Sequence, residues 1–404
     1  MKVALTCGMD FSRPNGITRY VEAVASGLAR NHEVILLSAD EPSSPLPVLL
    51  LLTPLRKLPW MGLEPKNRWI RSFLNVIQHT TRLLVNGLLY RSLYASLKKQ
   101  HQVDIIHSQS LDSPVADVVT MHACYAAAWR ARKSQKQTIT MTAVFGYLLF
   151  LPFNLGNLAI ERRILQSSHR IIAVSHQVKQ QIIEHYPVPD AKITVIPNGV
   201  DIGRFRPDAD RRAEIRGRYS ITEKALVLIF VGNLFQVKGL DLILDAVAQI
   251  RDVYLFVIGE DVNITSYQDM ARRAGLEDRV IFTGKIAANI ENYYAASDIF
   301  ILPSASEGFP LSALEAAATG LPLVATSAGG LAELIENGIN GYIISRDVED
   351  IKGKILLLLS KPEIRRGMGE AARKRAMRYS WDRVIVGIEK VYDEVRRKKK
   401  GDTC

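Results

Sequence analysis

The pattern of apolar and polar positions predicts that the chain begins as a parallel α/β sheet. An apolar run at residues 3–7 is followed by a loop at 12–16, and then by apolar residues at positions 21, 24, 25 and 28. A second apolar run covers residues 33–37. Short apolar runs are typical of buried strands, whereas apolar positions three or four residues apart form one face of a helix. The order strand, loop, helix, strand is the first unit of a Rossmann-like sheet.

The same alternation continues through most of the chain and restarts near residue 200. Further strands are predicted at 104–107, 118–121, 170–174, 226–231, 253–258, 279–283, 299–302, 322–325 and 341–344. The turn-rich sequence Ile-Pro-Asn-Gly-Val-Asp at 196–201 is the candidate linker. Because 404 residues are too many for one comfortable core, we predict two Rossmann-like domains, at residues 1–200 and 201–379.

Positive charge is concentrated in a less regular part of the first half. The formal net charge is +11, and residues 41–160 hold thirteen Lys or Arg against five Asp or Glu, an excess of eight positive charges. Within this interval, residues 68–99 have a helical period with interleaved basic residues, and residues 143–153 form an apolar run too short to cross a bilayer. Such a patch attracts nucleic acid or anionic lipid; the alternative is a solvated face. A second basic cluster, at 396–400, is expected to be a disordered tail.

The cysteines and the N-terminus point to a reducing compartment. Cys7, Cys124 and Cys404 are widely spaced and show no metal-binding pattern, so neither a disulfide framework nor a zinc site is expected. The first apolar stretch meets Asp10 at once, and is predicted to be a strand rather than a signal peptide. We therefore expect a cytoplasmic protein.

Two loops after predicted strands carry candidate chemistry. The first runs from Gly232 to Gly239 and leads into a helix, where free N–H groups, the helix dipole and Lys238 favour an anion. The second contains Glu307 before a helix start at Pro310 and Glu315 inside that helix, so that both carboxylates could accept hydrogen bonds from sugar hydroxyls. The alternatives are an ordinary turn with a solvated lysine, and glutamates that serve the helix dipole or solvent.

In their order and spacing, these segments resemble the family-4 glycosyltransferases of the GT-B fold. The donor loop G-x-L-x-x-x-K-G, the pair E-x7-E, the turn G-G-x-x-E and the linker P-N-G-V-D match Gly232–Gly239, Glu307 and Glu315, Gly329–Glu333, and Pro197–Asp201. More weakly, residues 15–20 resemble the family's N-terminal glycine loop, and His122 ends a strand like the one that ends in the family's active-site histidine. His107 competes for that role, or lines the acceptor side.

The resemblance implies a retaining transferase with two Rossmann-like domains that face each other across a cleft. The N-terminal domain would bind the acceptor and include a returning helix at about 380–396, and the C-terminal domain would bind the nucleotide sugar. Lys238 would stabilise the diphosphate, Glu307 would hold sugar hydroxyls, and Glu315 the ribose. His122 would orient the donor sugar. The implied donor or phosphate contacts also include Gly16, Asn233, Lys285, Gly308, Phe309, Leu311 and Ser312.

The same resemblance implies the partners. The donor would be a UDP- or GDP-linked hexose, and the acceptor a membrane-associated or lipid-linked glycan of the lipopolysaccharide type. The basic excess and the apolar run in residues 41–160 predict that the protein binds an anionic membrane surface, at the inner face of the cytoplasmic membrane, rather than nucleic acid. No Asp-x-Asp or His/carboxylate cluster follows a predicted strand, so no metal and no other cofactor are expected. A nucleotide-sugar epimerase of the same fold and a non-catalytic sugar-nucleotide or polyanion-binding protein are the alternatives. An NAD enzyme is disfavoured because no G-x-G-x-x-G follows a strand.

Three residues depart from the family pattern. Asn233 stands where many relatives have an arginine that holds the diphosphate, so Lys238 and Lys285 would carry more of that charge. Asn15 replaces a glycine and is expected to tolerate a left-handed backbone. Pro310 replaces another glycine; it keeps a helix start but removes one N–H donor.

Overall fold

The chain forms two compact α/β units, each with its own parallel sheet. The computed structural model describes residues 1–8, 11, 15–38, 41–42, 46, 48–52, 99–113, 115–134, 141–286 and 288–401, with side chains except at 51–52, 131–134, 141–150 and 401. The first unit comprises Met1–Ile196 and Ile385–Cys404, and the second comprises Pro197–Val384. Parallel sheets with helices packed on both faces confirm the predicted α/β class.

The first unit contains a seven-stranded sheet in the order β3-β2-β1-β4-β5-β6-β7. Its strands are β1 (Lys2–Cys7), β2 (Glu33–Ser38), β3 (Leu49–Leu52), β4 (Ile105–Gln109), β5 (Val118–Met121), β6 (Arg170–Ala173) and β7 (Ile193–Val195). Its first helices are α1 (Gly16–Leu28), α2 (Tyr125–Ser134), α3 (Met141–Ser167) and α4 (His176–His185). The connection from β1 runs to one side of the sheet and that from β4 to the other, so the strand order reverses between β1 and β4.

The second unit repeats this plan with a six-stranded sheet in the order β10-β9-β8-β11-β12-β13. The strands are β8 (Leu226–Val231), β9 (Val253–Ile258), β10 (Val280–Gly284), β11 (Ile299–Leu302), β12 (Leu323–Ala325) and β13 (Gly341–Ile343). The helices are α5 (Ala209–Arg218), α6 (Phe235–Lys238), α7 (Leu240–Ala248), α8 (Ile264–Arg273), α9 (Ile290–Ala296), α10 (Leu311–Ala318), α11 (Leu331–Leu334), α12 (Val348–Ser360) and α13 (Pro362–Ala376). Here the strand order reverses between β8 and β11.

The last helix, α14 (Trp381–Gly401), returns the chain to the first unit at Ile385. Its apolar face is buried, and Gly27 of α1 leaves room for it, because a Cβ there would lie 2.5 Å from Cγ1 of Ile385. Polar contacts fix its far end: Lys399 pairs with Asp117 at 2.7 Å. The basic cluster at 396–400 is therefore part of this helix, and the expectation of a disordered tail was wrong.

The less regular interval was only partly anticipated. The apolar run at 143–153 lies inside α3, which continues through Pro152. Among the residues that the structure describes, no helix is long and apolar enough to cross a membrane. The basic segment predicted at 68–99 lies outside the described residues, except for Lys99.

Candidate functional site

The two motif loops of the second unit meet where its strand order reverses. The loop after β8 carries Lys238, and the loop after β11 carries Glu307. In an open parallel sheet, ligands bind outside the carboxyl ends of the strands at this reversal point. Topology alone therefore places both predicted residues where a doubly wound sheet offers a binding site.

An ion pair joins these two loops. Nζ of Lys238 donates to Oε1 of Glu307, and the two side chains are only 20% and 6% exposed. The cation predicted for a diphosphate and the carboxylate predicted for sugar hydroxyls are therefore direct neighbours. A mixed-charge pair of this kind can exchange partners when a ligand brings both phosphate and hydroxyl groups.

The loop that carries Glu307 rests on the Gly329–Gly330 turn. Gly329 has φ +57, and a Cβ there would overlap the carbonyl oxygens of Glu307 and Gly308. A Cβ on Gly330 would overlap the Phe309 ring, and its N–H donates to the carbonyl of Gly308 at 2.7 Å. The glycine turn therefore serves as the support of the Glu307 loop, a role that its sequence pattern alone did not reveal.

Phe309 is a packing residue as the structure shows it. Its side chain is 3% exposed and lies 5.4 Å, between ring centroids, from Tyr379. Its carbonyl accepts a hydrogen bond from Nδ2 of Asn198 in the linker, at 2.6 Å. The ring and the carbonyl are thus used internally, so a predicted donor contact by Phe309 would have to come from its N–H group.

Helix α10 begins immediately after this loop and has an open N-terminus. Pro310 is its N-cap and supplies no side-chain hydrogen bond to the first turn. The first N–H groups of a helix have no intrahelical acceptor and attract anions. Leu311 and Ser312 belong to that first turn, so their predicted contact with a phosphate is compatible with the local backbone.

Glu315 lies deeper than the sequence suggested. It is 3% exposed, and its Oε2 accepts a hydrogen bond from the hydroxyl of Tyr294 on α9 at 2.9 Å. The sequence did not single out Tyr294 as its partner. The predicted contact of Glu315 with a ribose remains a prediction.

Asn233 holds two loops together. Its Oδ1 accepts a hydrogen bond from the N–H of Glu260, at 2.9 Å, in the loop after β9. Gly259 has φ +137, and a Cβ there would overlap the carbonyl oxygen of Gly232. Nδ2 of Asn233 has no hydrogen-bond partner among the described residues, and is the atom left for the predicted donor contact.

The Gly232–Gly239 loop, which leads into α7, contains the short helix α6. This helix has only four residues, and the N–H of Phe235 at its start already donates to Oδ2 of Asp261 at 2.8 Å. Lys238, at the other end of α6, stays the residue of this loop that is predicted to bind an anion. Lys285, which follows β10, is half-buried and has no hydrogen bond or ion pair to any described residue.

Arg346 supports this region and was missed from the sequence. Its guanidinium donates to the carbonyls of Pro303 and Val237, the latter at 3.1 Å. Gly239, with φ +75, allows the close approach, because a Cβ there would lie 2.6 Å from the carbonyl oxygen of Pro303. Arg346 thus ties the end of α6 to the end of β11, next to both motif loops.

In the first unit, Asp112 occupies the corresponding reversal point between β1 and β4. Its Oδ2 accepts a hydrogen bond from the N–H of Gly8 at 2.9 Å. Burial raises the pKa of Asp112 to about 7, and the Gly8 N–H only partly opposes that shift. No motif marked Asp112; its position after β4 is the signal that could have found it.

The N-terminus of α1 differs from the expected glycine loop. Asn15 has φ −134, so it is extended rather than left-handed. Its Oδ1 caps α1 by accepting from the N–H groups of Ile17 at 2.8 Å and Thr18 at 3.2 Å. Gly16 is exposed, and a Cβ there would meet no described atom within 4 Å. Nothing in the described structure demands a glycine at this position, and its predicted role towards a ligand stays a prediction.

The structure separates the two candidate histidines. His107 is fully buried; its Nδ1 lies 2.6 Å from the Tyr392 hydroxyl and its Nε2 lies 2.7 Å from Oγ1 of Thr120. The suggestion that His107 lines the acceptor side was wrong. His122 follows β5, is half-buried, and places Nε2 3.0 Å from Oε1 of Gln109. Burial lowers the pKa of His122 to about 4, so its ring is neutral near pH 7.

No group of His, Cys, Asp and Glu side chains in the described part of the chain is arranged to hold a metal ion.

Two family models match the chain, one in each half. The model described as Glycosyltransferase Family 4 matches residues 14–204, and the model described as Glycosyl transferases group 1 matches residues 211–375. Each model matches slightly less than half of the chain, and together the two matches support a family-4-type glycosyltransferase.

Curated sequences include proteins that are similar to this chain. The D-inositol 3-phosphate glycosyltransferase of Segniliparus rotundus is 32% identical over 248 residues, which are 59% of this chain and 55% of that protein. The protein of the same name from Geodermatophilus obscurus is 30% identical over 247 residues, 57% of this chain and 54% of that protein. The aligned part thus spans about half the length of these relatives.

Solved structures with the same fold cover nearly the whole chain. Sucrose-phosphate synthase from Thermosynechococcus elongatus has a TM-score of 0.76 at 19% identity and covers 98% of both chains. WaaG, a glycosyltransferase involved in lipopolysaccharide biosynthesis, has a TM-score of 0.73 at 21% identity and covers 97% of this chain and 99% of its own. Anabaena HepE, solved with UDP and glucose, has a TM-score of 0.73 at 18% identity, and the match covers 98% of this chain and 100% of HepE. These structures confirm the GT-B fold.

Proposed function

We propose that this chain transfers a hexose from a nucleotide sugar to a membrane-associated or lipid-linked glycan, with retention of configuration at the anomeric carbon. The observation that carries the proposal is the contact between Lys238 and Glu307 at the strand-order reversal of the second unit. It puts a diphosphate-binding cation and a hydroxyl-binding carboxylate side by side, as a nucleotide sugar requires.

The reaction needs charge stabilisation more than it needs a strong base. As the glycosidic bond breaks, negative charge collects on the departing diphosphate, and preorganised positive groups lower that barrier. Lys238 and the open first turn of α10 supply such groups. Glu307 would hold donor-sugar hydroxyls, Glu315 the ribose, and the neutral ring of His122 in the first unit would accept or donate one hydrogen bond to the sugar.

The solved relatives favour particular donors and acceptors. HepE was solved with UDP and with UDP-glucose, so a UDP-linked hexose is the first donor to test, with GDP-linked sugars next. WaaG supports a lipopolysaccharide-type acceptor. The curated relatives are named for D-inositol 3-phosphate, so a small phosphorylated polyol is the competing acceptor class.

The donor can be named by thermal stabilisation. Each nucleoside diphosphate and its sugars would be added separately, since a ligand at a hundred times its Kd stabilises the folded protein by about 2.7 kcal/mol. The best donor is then incubated with acceptors, and the anomeric configuration of the product is read by NMR. Inversion at the anomeric carbon would contradict the retaining mechanism. Release of free nucleotide and an altered sugar without any acceptor would support the epimerase instead.

A further inference from the structure

The ring of His122 is held from two sides. Gln109, the last residue of β4, is 1% exposed and places Oε1 3.0 Å from Nε2 of His122. The ring of Tyr20 on α1 stands edge-on to the imidazole, with 4.8 Å between centroids. Nδ1 of His122 makes no hydrogen bond to any described residue.

Behind this histidine lies a hydrogen-bonded chain of buried side chains. The Tyr20 hydroxyl lies 3.4 Å from Oγ1 of Thr120, which also meets Nε2 of His107 at 2.7 Å. Nδ1 of His107 continues the chain to the hydroxyl of Tyr392 on α14. Both nitrogens of the His107 ring therefore have hydrogen-bond partners. The side chain of Gln109 is not part of this hydrogen-bonded series, and among the described residues it contacts only His122 by a hydrogen bond.

We propose that Gln109 is a positioning residue that keeps the Nε2 proton on His122 and leaves the Nδ1 lone pair for a ligand hydroxyl. An amide oxygen can only accept, so Nε2 of His122 must be the donor, and a neutral imidazole with a proton on Nε2 has its lone pair on Nδ1. The proposal rests on the proposed function in one respect: the ligand hydroxyl is that of the sugar.

The cost of burying Gln109 argues for a role beyond folding. Its Nε2 is buried and has no hydrogen-bond partner among the residues that the structure describes. An amide with both donors unpaired is less favourable in an interior than an apolar side chain of similar volume. Gln109→Met (Q109M) should therefore fold as well as the wild type or better, and any loss of turnover would not come from instability.

The first test compares stability with turnover. Q109M should keep or raise the Tm and lower kcat on the order of 10-fold to 100-fold, because a loosened catalytic group is misplaced relative to its substrate. The matched control is Gln180→Met, at an exposed position of α4, which should change neither quantity. Wild-type turnover in Q109M would overturn the proposal.

A second variant tests the same contact through the pH dependence of transfer. In Gln109→Glu (Q109E) a carboxylate faces the ring and should raise the pKa of His122 from about 4, so that transfer falls as the pH drops through the raised value. Among the other buried groups of the first unit, Tyr20 has its pKa raised to about 12, His107 has its pKa lowered to about 3, and Asp112 has its pKa raised to about 7. The pKa of Tyr392 on α14 is also raised. All four remain in the variant, so the difference between the two pH profiles reports the titration of His122 together with the carboxyl that faces it.

A direct measurement separates this proposal from the proposed function. In protein with 15N-labelled histidine, the His122 ring signals are assigned by their loss in His122→Gln, and their shifts report which nitrogen carries the proton. The wild type should show the proton on Nε2, and Q109M should show a mixture of both tautomers. A wild-type ring protonated on Nδ1, or the same tautomer in both proteins, would overturn the role of Gln109 whether or not any sugar is transferred. If no nucleotide sugar reacts with the wild type, the proposed function fails. The ring signals then still decide whether Gln109 positions the proton of His122.

Discussion

At the scale of single residues, Lys238 and Glu307 depend on each other for charge balance. Glu307 is 6% exposed, and Lys238 is the cation that faces it in the described structure. A buried carboxylate that loses its only cation costs more than the pair itself contributes. The two residues therefore have a structural role that must be separated from their proposed role in transfer.

We expect Lys238→Met to weaken donor binding and also to destabilise the protein. The carboxylate of Glu307 would be left buried without its partner, which costs about 1–3 kcal/mol. The double variant Lys238→Met/Glu307→Gln removes both charges and should recover most of that stability while staying inactive. Thermal unfolding and donor titration measure the two effects. An equal loss of Tm in the single and double variants would show that the unpaired carboxylate of Glu307 is not what destabilises Lys238→Met.

The two glutamates should affect different kinetic constants. Glu315→Gln keeps an acceptor for Tyr294 but loses the charge that would bind the ribose, so nucleotide affinity should fall about 10-fold with little change in Tm. Glu307→Gln should mainly lower turnover, because its proposed contact is with the reacting sugar. Donor Kd and kcat are measured for each variant. Wild-type values of both constants in both variants would refute the site.

Asp112 should make stability depend on pH in a direction opposite to that of most carboxylates. Its folded pKa, about 7, lies above the ordinary value of 3.8 for an aspartate. The folded state therefore binds more protons between these values, and stability is lost as the pH rises through about 7. Asp112→Asn still accepts from Gly8 but cannot ionise, so its Tm should exceed the wild-type value at pH 8 and match it at pH 4. If Asp112→Asn and the wild type have the same Tm at pH 8, the carboxyl is not buried in solution.

At the scale of elements, most strands were predictable, including β12 and β13 with three residues each, whereas β3 and β7 were missed. β8 and β9 are unbroken apolar runs, because both faces of a parallel sheet are covered. β7 lies directly before the candidate linker at 196–201, and β3 lies in a Leu- and Pro-rich stretch, so neither stood out. α3 was missed because Pro152 breaks the expected helical pattern, although the helix continues through it.

The site shows the same division between local and distant information. The motifs marked Lys238 and Glu307 separately, but their contact joins residues that are 69 positions apart, and only the sheet order brings them together. Gln109, Asp112 and Arg346 have no motif spacing. Their roles arise from where strands end in three dimensions, which a single sequence does not state.

The glycine turn that supports the Glu307 loop can be tested at this scale. Gly330 has an ordinary backbone conformation, so Gly330→Ala acts only through the overlap of its Cβ with the Phe309 ring. We expect a lower Tm and a lower kcat, because the Glu307 loop must shift. Gly353→Ala in α12 is the control: its Cβ meets nothing within 4 Å, and alanine should stabilise the helix by up to about 1 kcal/mol. Unchanged turnover in Gly330→Ala would show that the turn does not position the loop.

At the scale of the whole molecule, some charged side chains form ion pairs within the fold, and others make up an excess of positive charge. At the basic end of α14, Lys399 is paired with Asp117 and also donates to the carbonyl of Asp104 at 3.0 Å, and Glu394 pairs with Arg170. This cluster thus partly serves to dock the helix. The excess of eight positive charges in residues 41–160 includes Arg68, Arg71 and Arg82, which lie outside the described residues, and it is this excess that motivates the membrane proposal.

We expect the protein to bind anionic vesicles at low salt and to release them at high salt. Basic residues near an anionic surface contribute about 1 kcal/mol each, and salt screens them. Replacing Arg68, Arg71 and Arg82 by Gln should weaken co-sedimentation, whereas Gln at Lys224, Lys361 and Lys374, exposed in the second unit, should not. Equal loss in the two triple variants would mean that net charge alone drives binding. A wild type that stays in the supernatant with acidic vesicles at low salt would refute membrane attachment, and the charge would then serve a phosphorylated acceptor.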